Sequence, residues 1–77
     1  MSIEMIKLCL KEDTQNYKVL HHMEKYGGIT SYEAFVEYGI TRLASRICEL
    51  RKMGVPIGDD VMLKNGKHWK RYYLEVE

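Results

Sequence analysis

The sequence predicts a mostly α fold in which three helices are followed by a C-terminal β-hairpin. Three observations support this prediction. Apolar residues recur three and four positions apart from Thr14 to Gly54, as on one side of a helix. After Gly54 the pattern changes to alternation, which is typical of strands, and an Asn65-Gly66 pair separates the two alternating segments. With 77 residues, the chain has room for one domain.

The composition is typical of a soluble globular protein, with 45% hydrophobic and 30% charged residues. No apolar run is long enough to span a membrane, and the N-terminus lacks the pattern of a secretory signal, so we expect the cytoplasm of a bacterial host cell. Cys9 and Cys48 lie far apart and lack the paired spacing of a disulfide framework or zinc site. We interpret both as reduced, apolar fillers.

Residues 1–13 leave two alternatives open. Ile3, Met5, Leu8 and Leu10 fit either an extended edge or one side of a short helix. We treat this segment as an N-terminal extension of a domain that spans residues 14–77. Because a domain of this size supports only a small core, the apolar residues from Ile3 to Leu10 are a candidate interface for a homodimer.

The first helix of the domain is predicted to begin at Thr14, whose side chain can cap it, and to end at Gly27-Gly28. Its apolar side is formed by Val19, Leu20, Met23 and Tyr26.

The second helix starts with a capping box, in which Thr30 and Glu33 satisfy each other's backbone donors. It runs to about Tyr38, with Ala34, Phe35 and Tyr38 able to face a core, and Gly39 makes the sharp turn that follows.

The third helix is predicted to be capped by Thr41 and to end at Gly54. Leu43, Ile47 and Leu50 are spaced four and three apart and so form one apolar stripe.

The hairpin begins at Val55-Pro56-Ile57, where proline is tolerated at the start or edge of a strand. Residues 64–67 predict a type I′ turn, because Asn-Gly accepts two positive φ angles. Alternation in the second strand gives two sides: Tyr72, Leu74 and Val76 on one, and Trp69, Arg71 and Tyr73 on the other.

Two helices joined by a tight glycine turn and followed by a hairpin form the arrangement of a winged helix-turn-helix. The segments that carry a closer resemblance are Gln15-Asn16-Tyr17-Lys18-Val19-Leu20, Ile29-Thr30 with Glu33-Ala34, Gly39-Ile40-Thr41-Arg42-Leu43-Ala44-Ser45-Arg46-Ile47, Leu50-Arg51-Lys52, Gly54-Val55-Pro56-Ile57 and Tyr72-Tyr73-Leu74. Over residues 15–76 the chain resembles a family of small phage and prophage winged helix-turn-helix proteins. The resemblance implies a three-helix winged helix-turn-helix that binds double-stranded DNA, as a transcriptional regulator or a recombination accessory factor.

In such a fold the third helix, about residues 42–53, would lie in the major groove. Its candidate DNA-binding residues are Thr41, Arg42, Ser45, Arg46, Glu49 and Lys52. Arginine can donate two hydrogen bonds to guanine, and glutamate can accept one from cytosine. The alternative is an ordinary solvated helix face, on which Arg42 or Arg46 pairs with Glu49 at the surface. Glu49 can also serve by holding an arginine in position.

The hairpin, residues 55–76, would be the wing that contacts the DNA backbone. Its candidate residues are Lys64, Asn65, Lys67, Lys70 and Arg71, which the prediction gathers around the tip and the returning strand. The alternative is a charged hairpin whose lysines prevent edge pairing. Thr30 and Ser31, at the start of the second helix, can donate to a phosphate, although capping already explains them.

Charge is distributed unevenly along the chain. Residues 1–40 carry four lysines and six carboxylates, a net −2, whereas residues 41–77 carry eight lysines or arginines and five carboxylates, a net +3. This mild basic excess suits a DNA backbone. The near-neutral total of +1 also leaves a second hypothesis open, a protein-binding winged helix that inhibits or redirects a host polymerase, nuclease or defence complex.

Catalysis and cofactor binding find no support in the sequence. His21 and His22 are adjacent on one helix, project in different directions and cannot share a metal without further ligands. No nucleophile stands beside a plausible base, and so short a chain cannot enclose a cleft for a small-molecule substrate. We therefore expect no enzyme activity, no cofactor, no metal and no membrane partner.

Overall fold

The computed structural model describes residues 3–75, which form four helices and a three-stranded sheet. The elements are α1 (Ile3–Cys9), α2 (Gln15–Tyr26), β1 (Ile29–Thr30), α3 (Ser31–Tyr38), α4 (Leu43–Lys52), β2 (Ile57–Lys64) and β3 (Lys67–Leu74). The three expected helices are α2, α3 and α4, and the expected hairpin is β2–β3. The three-helix, one-hairpin prediction lacked α1 and β1. Within the described residues, no helix is long and apolar enough to cross a membrane.

The strand missed by the prediction, β1, places the hairpin against the helices. The sheet is antiparallel with the order β1-β3-β2, and Ile29 and Thr30 pair with Tyr72 and Arg71. A two-residue strand is too short to show alternation. It exists because β3 offers a free edge beside the chain that joins α2 to α3.

Helix α1, Ile3–Cys9, resolves the alternatives left open for the apolar N-terminal residues in favour of a short helix. Ile6 is completely buried within the common core, whereas Leu8 is 86% exposed. Lys7 Nζ lies 2.9 Å from Glu24 Oε1 and 3.1 Å from His21 Nδ1, both on α2. This hydrogen bond to Glu24 raises the pKa of Lys7. The buried Ile6 side chain and the contacts of Lys7 therefore hold α1 against α2.

Helix α2 is capped as predicted. The Thr14 hydroxyl oxygen accepts a hydrogen bond from the Tyr17 N–H at 3.3 Å, and Gly27 ends the helix in the left-handed region with a φ of 81°. The prediction that Tyr26 faces the core is wrong. His22 is buried instead, because Tyr38 of α3 packs edge-on against it, and the Tyr38 hydroxyl and His22 Nδ1 share a hydrogen bond of 2.8 Å. The exposed Tyr26 ring covers His22 from the solvent side, at 4.6 Å between centroids.

Helix α3 begins with the predicted capping box. The Glu33 N–H donates to Thr30 Oγ1 at 3.1 Å, and the Thr30 N–H donates to Glu33 Oε1 at 2.9 Å. The prediction that Phe35 faces the core is wrong, since its side chain is 59% exposed. Each residue rotates about 100° around a helix, and the adjacent Ala34 occupies the core direction.

Helix α4 is held by the predicted stripe, because Leu43, Ile47 and Leu50 are all buried. The prediction that Thr41 caps it is wrong: the N-cap is Arg42, and no side chain caps the helix. The carbonyl of Arg42 already accepts from the N–H groups of Ser45 and Arg46, so the helix starts one residue later than expected.

The β2–β3 hairpin turns at Asn65 and Gly66, which have φ angles of 52° and 76°, as the Asn-Gly pair predicts. Tyr72 is buried and Leu74 half-buried, so the side of β3 that they share is the one that faces the core. Val76, which we expected on the same side, lies outside the described residues. All side chains of residues 61–70 are exposed, so the outer part of the hairpin extends beyond the helices.

Both cysteines are free, as expected, but the prediction that they fill apolar space is wrong. Cys9 and Cys48 are exposed. Each lies at the end or on the outer side of a helix whose core positions are taken by branched aliphatic side chains, Ile6 in α1 and Ile47 in α4.

Candidate nucleic-acid interface

The outer face of α4 is polar and partly basic. Because Leu43, Ile47 and Leu50 point into the core, the opposite side of the helix is turned to solvent. Arg42, Glu49 and Lys52 are exposed, and Ser45 and Arg46 are half-buried at the flank. Thr41 is also exposed, one residue before the N-cap. The structure thus brings the six residues predicted for this helix to one end or one side of it.

Arg46 and Glu49 form the ion pair that the sequence offered as one alternative. Arg46 Nη2 contacts Glu49 Oε1 one turn further along the helix, and Arg46 Nε is buried without a hydrogen-bond partner among residues 3–75. The contact holds the guanidinium along the helix surface. Glu49 therefore positions an arginine in this structure. Arg42 forms no ion pair within residues 3–75 and projects from the start of the helix.

Arg51, which we did not single out, has a structural role. Its Nε and Nη2 donate to the carbonyl oxygen of Ile57 at 3.2 and 2.9 Å, and Nη2 also lies 3.2 Å from Asp59 Oδ2. These contacts tie the last turn of α4 to the first residues of β2. The orientation of the hairpin relative to α4 is fixed in part by this arginine.

The hairpin candidates lie at the tip and along the returning strand, on both faces of the sheet. Lys64 and Lys67 are directly opposite each other beside the turn, so their side chains share one face of the sheet. Lys70 projects from the other face, because neighbouring residues of a strand alternate. Arg71 is half-buried and lies away from the tip, between Asp60 of β2 and Thr30 of β1. Arg71 therefore lies on the returning strand, as expected, but at a distance from the tip.

The position of Arg71 is set by a glycine. A Cβ added at Gly28 would lie 2.4 Å from the Arg71 Cζ atom, so the guanidinium occupies the space that a side chain would take. Arg71 therefore packs over the chain between α2 and β1. Because Arg71 holds the sheet to the helices, a structural role accounts for this residue without a contact to DNA.

Two candidate regions that are distant in sequence meet at a shallow groove. The groove is lined by Thr30, Ser31 and Tyr32 at the start of α3, and by Lys67, His68 and Trp69 of β3. The Thr30 hydroxyl is engaged in the capping box, whereas Ser31 is exposed. A cation from the hairpin and the N-terminus of α3 therefore border the same surface.

Residues 14–73 match the winged helix-turn-helix domain family. The chain belongs to this family. No curated protein and no solved structure matches the chain significantly. Domains of the winged helix-turn-helix family typically bind DNA and are not enzymes. The phage and prophage origin implied by the sequence resemblance is not part of this match.

The elements of the structure follow the order of a winged helix-turn-helix. Helices α3 and α4 form the helix-turn-helix, with the sharp turn at Gly39 (φ 68°) between them, and β2–β3 is the wing. Two residues near the candidate interface, Cys48 and Tyr32, were not among the candidates from the sequence. Cys48 is exposed on α4 between the turns that carry Ser45 and Lys52, and a full helical wheel would have placed it on the outer face. Tyr32 becomes a candidate only because it lines the groove, and the groove exists only because α3 packs beside β3.

Among residues 3–75, no group of three or more histidine, cysteine or carboxylate side chains is arranged to hold a metal ion. On the wing, the nearby Asp60 carboxylate raises the pKa of the Tyr73 phenol.

Proposed function

We propose that this chain binds double-stranded DNA, with α4 in the major groove and the wing against the sugar-phosphate backbone. In this proposal it acts in the bacterial cytoplasm as a phage or prophage transcriptional regulator or recombination accessory factor. The domain would bind without a cofactor and without catalysing a reaction.

The observation that carries the proposal is the orientation of α4. Three buried aliphatic side chains fix which side of the helix faces solvent, and this side presents Arg42, Ser45 and Lys52. An α-helix fits the major groove, where arginine can read guanine and serine can donate or accept. Arg46, held by Glu49, lies at the flank of the same face and would contact either a base or a phosphate.

The wing supplies a second observation. Lys64 and Lys67 are directly opposite each other beside the Asn65 turn. Like charges at opposed positions destabilise a hairpin, and a bound phosphate removes this penalty. Lys67 and Ser31 also border the groove, so a backbone segment that contacts the wing would pass close to the N-terminus of α3.

The first experiment is fluorescence anisotropy of the purified protein on a pool of random duplexes at two salt concentrations, followed by sequencing of the retained DNA. Arg42→Ala should weaken binding to the selected site by about 1 to 3 kcal/mol and relax the base preference at one position. Lys67→Ala should weaken binding evenly across sequences and reduce the slope of log affinity against log salt by about one.

Lys11→Ala is the matched control, since Lys11 is exposed on the connection between α1 and α2, outside the proposed interface. It should leave affinity and salt slope unchanged. If Arg42→Ala and Lys67→Ala behave like this control, the proposed docking is wrong.

A second candidate function is supported by α3. Tyr32, Phe35 and Val36 all lie on its outer side and are more than half exposed, so this helix presents an apolar stripe to solvent. Such a stripe suits a winged helix that binds a host protein. Two results together would favour this function over DNA binding. The protein would not bind duplex DNA at low salt, and it would recover one host protein in stoichiometric amount, a recovery that Phe35→Ser abolishes.

A further inference from the structure

The outer edge of β2 is protected at one end and open at the other. Arg51 occupies the beginning, where it donates two hydrogen bonds to the carbonyl of Ile57 and contacts Asp59. From Asp60 to Lys64, neither a strand nor a side chain of residues 3–75 hydrogen-bonds to this edge. An open strand edge is a template for pairing with another strand.

The middle of the open part is apolar, between Asp60 and Lys64. Val61, Met62 and Leu63 are 64%, 40% and 76% exposed. Proteins normally protect exposed edges with charges, proline or a bulge, whereas this edge carries three consecutive apolar side chains. Moreover, β1 pairs with β3 only at Arg71 and Tyr72, so the outer part of the hairpin is a two-stranded ribbon. Such ribbons have little stability alone and gain it from a further strand.

We propose that a second copy of this chain supplies that strand, by antiparallel pairing of the two β2 edges about a two-fold axis at Met62. In this register Val61 of each copy lies opposite Leu63 of the other, and Asp60 lies opposite Lys64. The wings of two copies then form one continuous six-stranded sheet.

The backbone geometry favours this register. The two-residue turn closes on a hydrogen-bonded pair, Lys64 and Lys67, so every second residue of β2 directs its N–H and C=O toward β3. Val61 and Leu63 are the intervening residues, and their backbone groups point to the open edge. Ile57 has the same parity, and its carbonyl does point outward, as its bonds to Arg51 show. Pairing Val61 of each copy with Leu63 of the other therefore forms four backbone hydrogen bonds across the axis.

The charges favour the same register. Asp60, Met62 and Lys64 lie on one face of β2, because their spacing is two. The carboxylate of each copy then meets the ammonium group of the other, and two ion pairs flank the contact between the Met62 side chains. The free edge of β3 offers no such match, because residues 67–70 include no carboxylate that could pair with a lysine of the other copy.

The test is the oligomeric state of the full chain without DNA, so its outcome is separate from that of the DNA-binding proposal. Sedimentation equilibrium over a range of protein concentrations should give a reversible dimer. Asp60→Lys or Lys64→Asp alone should weaken dimerisation about tenfold, because each replaces two attractive pairs by repulsive ones. The double exchange should restore the affinity of the unaltered chain.

If Lys64→Asp acted only through the stability of the single chain, it would not weaken the dimer. Within one chain, Lys64→Asp places a carboxylate opposite Lys67 and should strengthen the hairpin, as thermal unfolding can verify. A weaker dimer from a more stable chain is therefore specific to the proposed interface. A monomer at every concentration, or single exchanges that leave the mass unchanged, would overturn the proposal.

Cross-linking tests the axis itself. In a Cys9→Ser, Cys48→Ser background, Met62→Cys should form a disulfide-linked dimer under mild oxidation, because residues opposed at a non-hydrogen-bonded pair lie about 4.5 Å apart at Cα. Leu8→Cys in the same background is the control on the exposed side of α1. Efficient cross-linking at residue 8 but not at residue 62 would assign the dimer to the N-terminal helix and overturn the wing-edge interface.

Discussion

Replacing Ile6 by alanine should destabilise the whole domain, although Ile6 precedes the residues that match the family. The side chain is completely buried in the core shared by α2, α4 and the sheet. The substitution removes three carbons, at about 0.8 kcal/mol each, and leaves a cavity, so a loss of about 2 to 4 kcal/mol is expected. A chain of this length has roughly 4 to 12 kcal/mol of unfolding free energy in total.

Urea unfolding followed by circular dichroism measures this loss, and the corresponding fall in melting temperature is about 10 to 20 °C. Leu8→Ala is the matched control: it removes a similar side chain from the same helix, but Leu8 is 86% exposed, so the change should stay within about 0.5 kcal/mol. Equal effects of the two substitutions would refute the reasoning, since they would mean that α1 does not pack on the domain in solution.

Three further predictions concern other parts of the chain. Thr30→Ala removes the hydroxyl that accepts from the Glu33 N–H and should cost about 1 kcal/mol in urea unfolding; an unchanged midpoint would contradict the capping role. Phe35→Ser, on the exposed side of α3, should change stability by less than about 0.5 kcal/mol, and a loss like that of Ile6→Ala would show that Phe35 is buried. Stability should fall in alkali. The hydrogen bond to Glu24 raises the pKa of Lys7 above 10.5 and burial raises that of Tyr38 above 10.0, so the folded state holds both protons more tightly. This stabilisation is fully present below about pH 10 and lost at higher pH, and thermal melts of Tyr38→Phe should show a shallower fall.

Local sequence signals predicted α2, α3, α4 and the hairpin, because residues within or next to each of these elements specify it. The capping box at Thr30, the stripe from Leu43 to Leu50 and the Asn65-Gly66 turn all act within a few residues. The same stripe determined which side of α4 is exposed, and so most of the candidate interface. The errors lie where a neighbouring residue decided the outcome. Phe35 is exposed because Ala34 occupies the core direction of α3, and Thr41 does not cap because the carbonyl of Arg42 begins the helix.

What the sequence by itself determined is the identity and order of the main elements, since hydrogen bonds within a turn of helix or a tight hairpin depend on local residues. Only the tertiary structure decided which distant segments share a surface. The burial of Ile6, the short strand at Ile29 and the packing of Arg71 over Gly28 depend on contacts between residues far apart in the chain. No local pattern encodes such contacts, because their free energy arises only when the elements pack together.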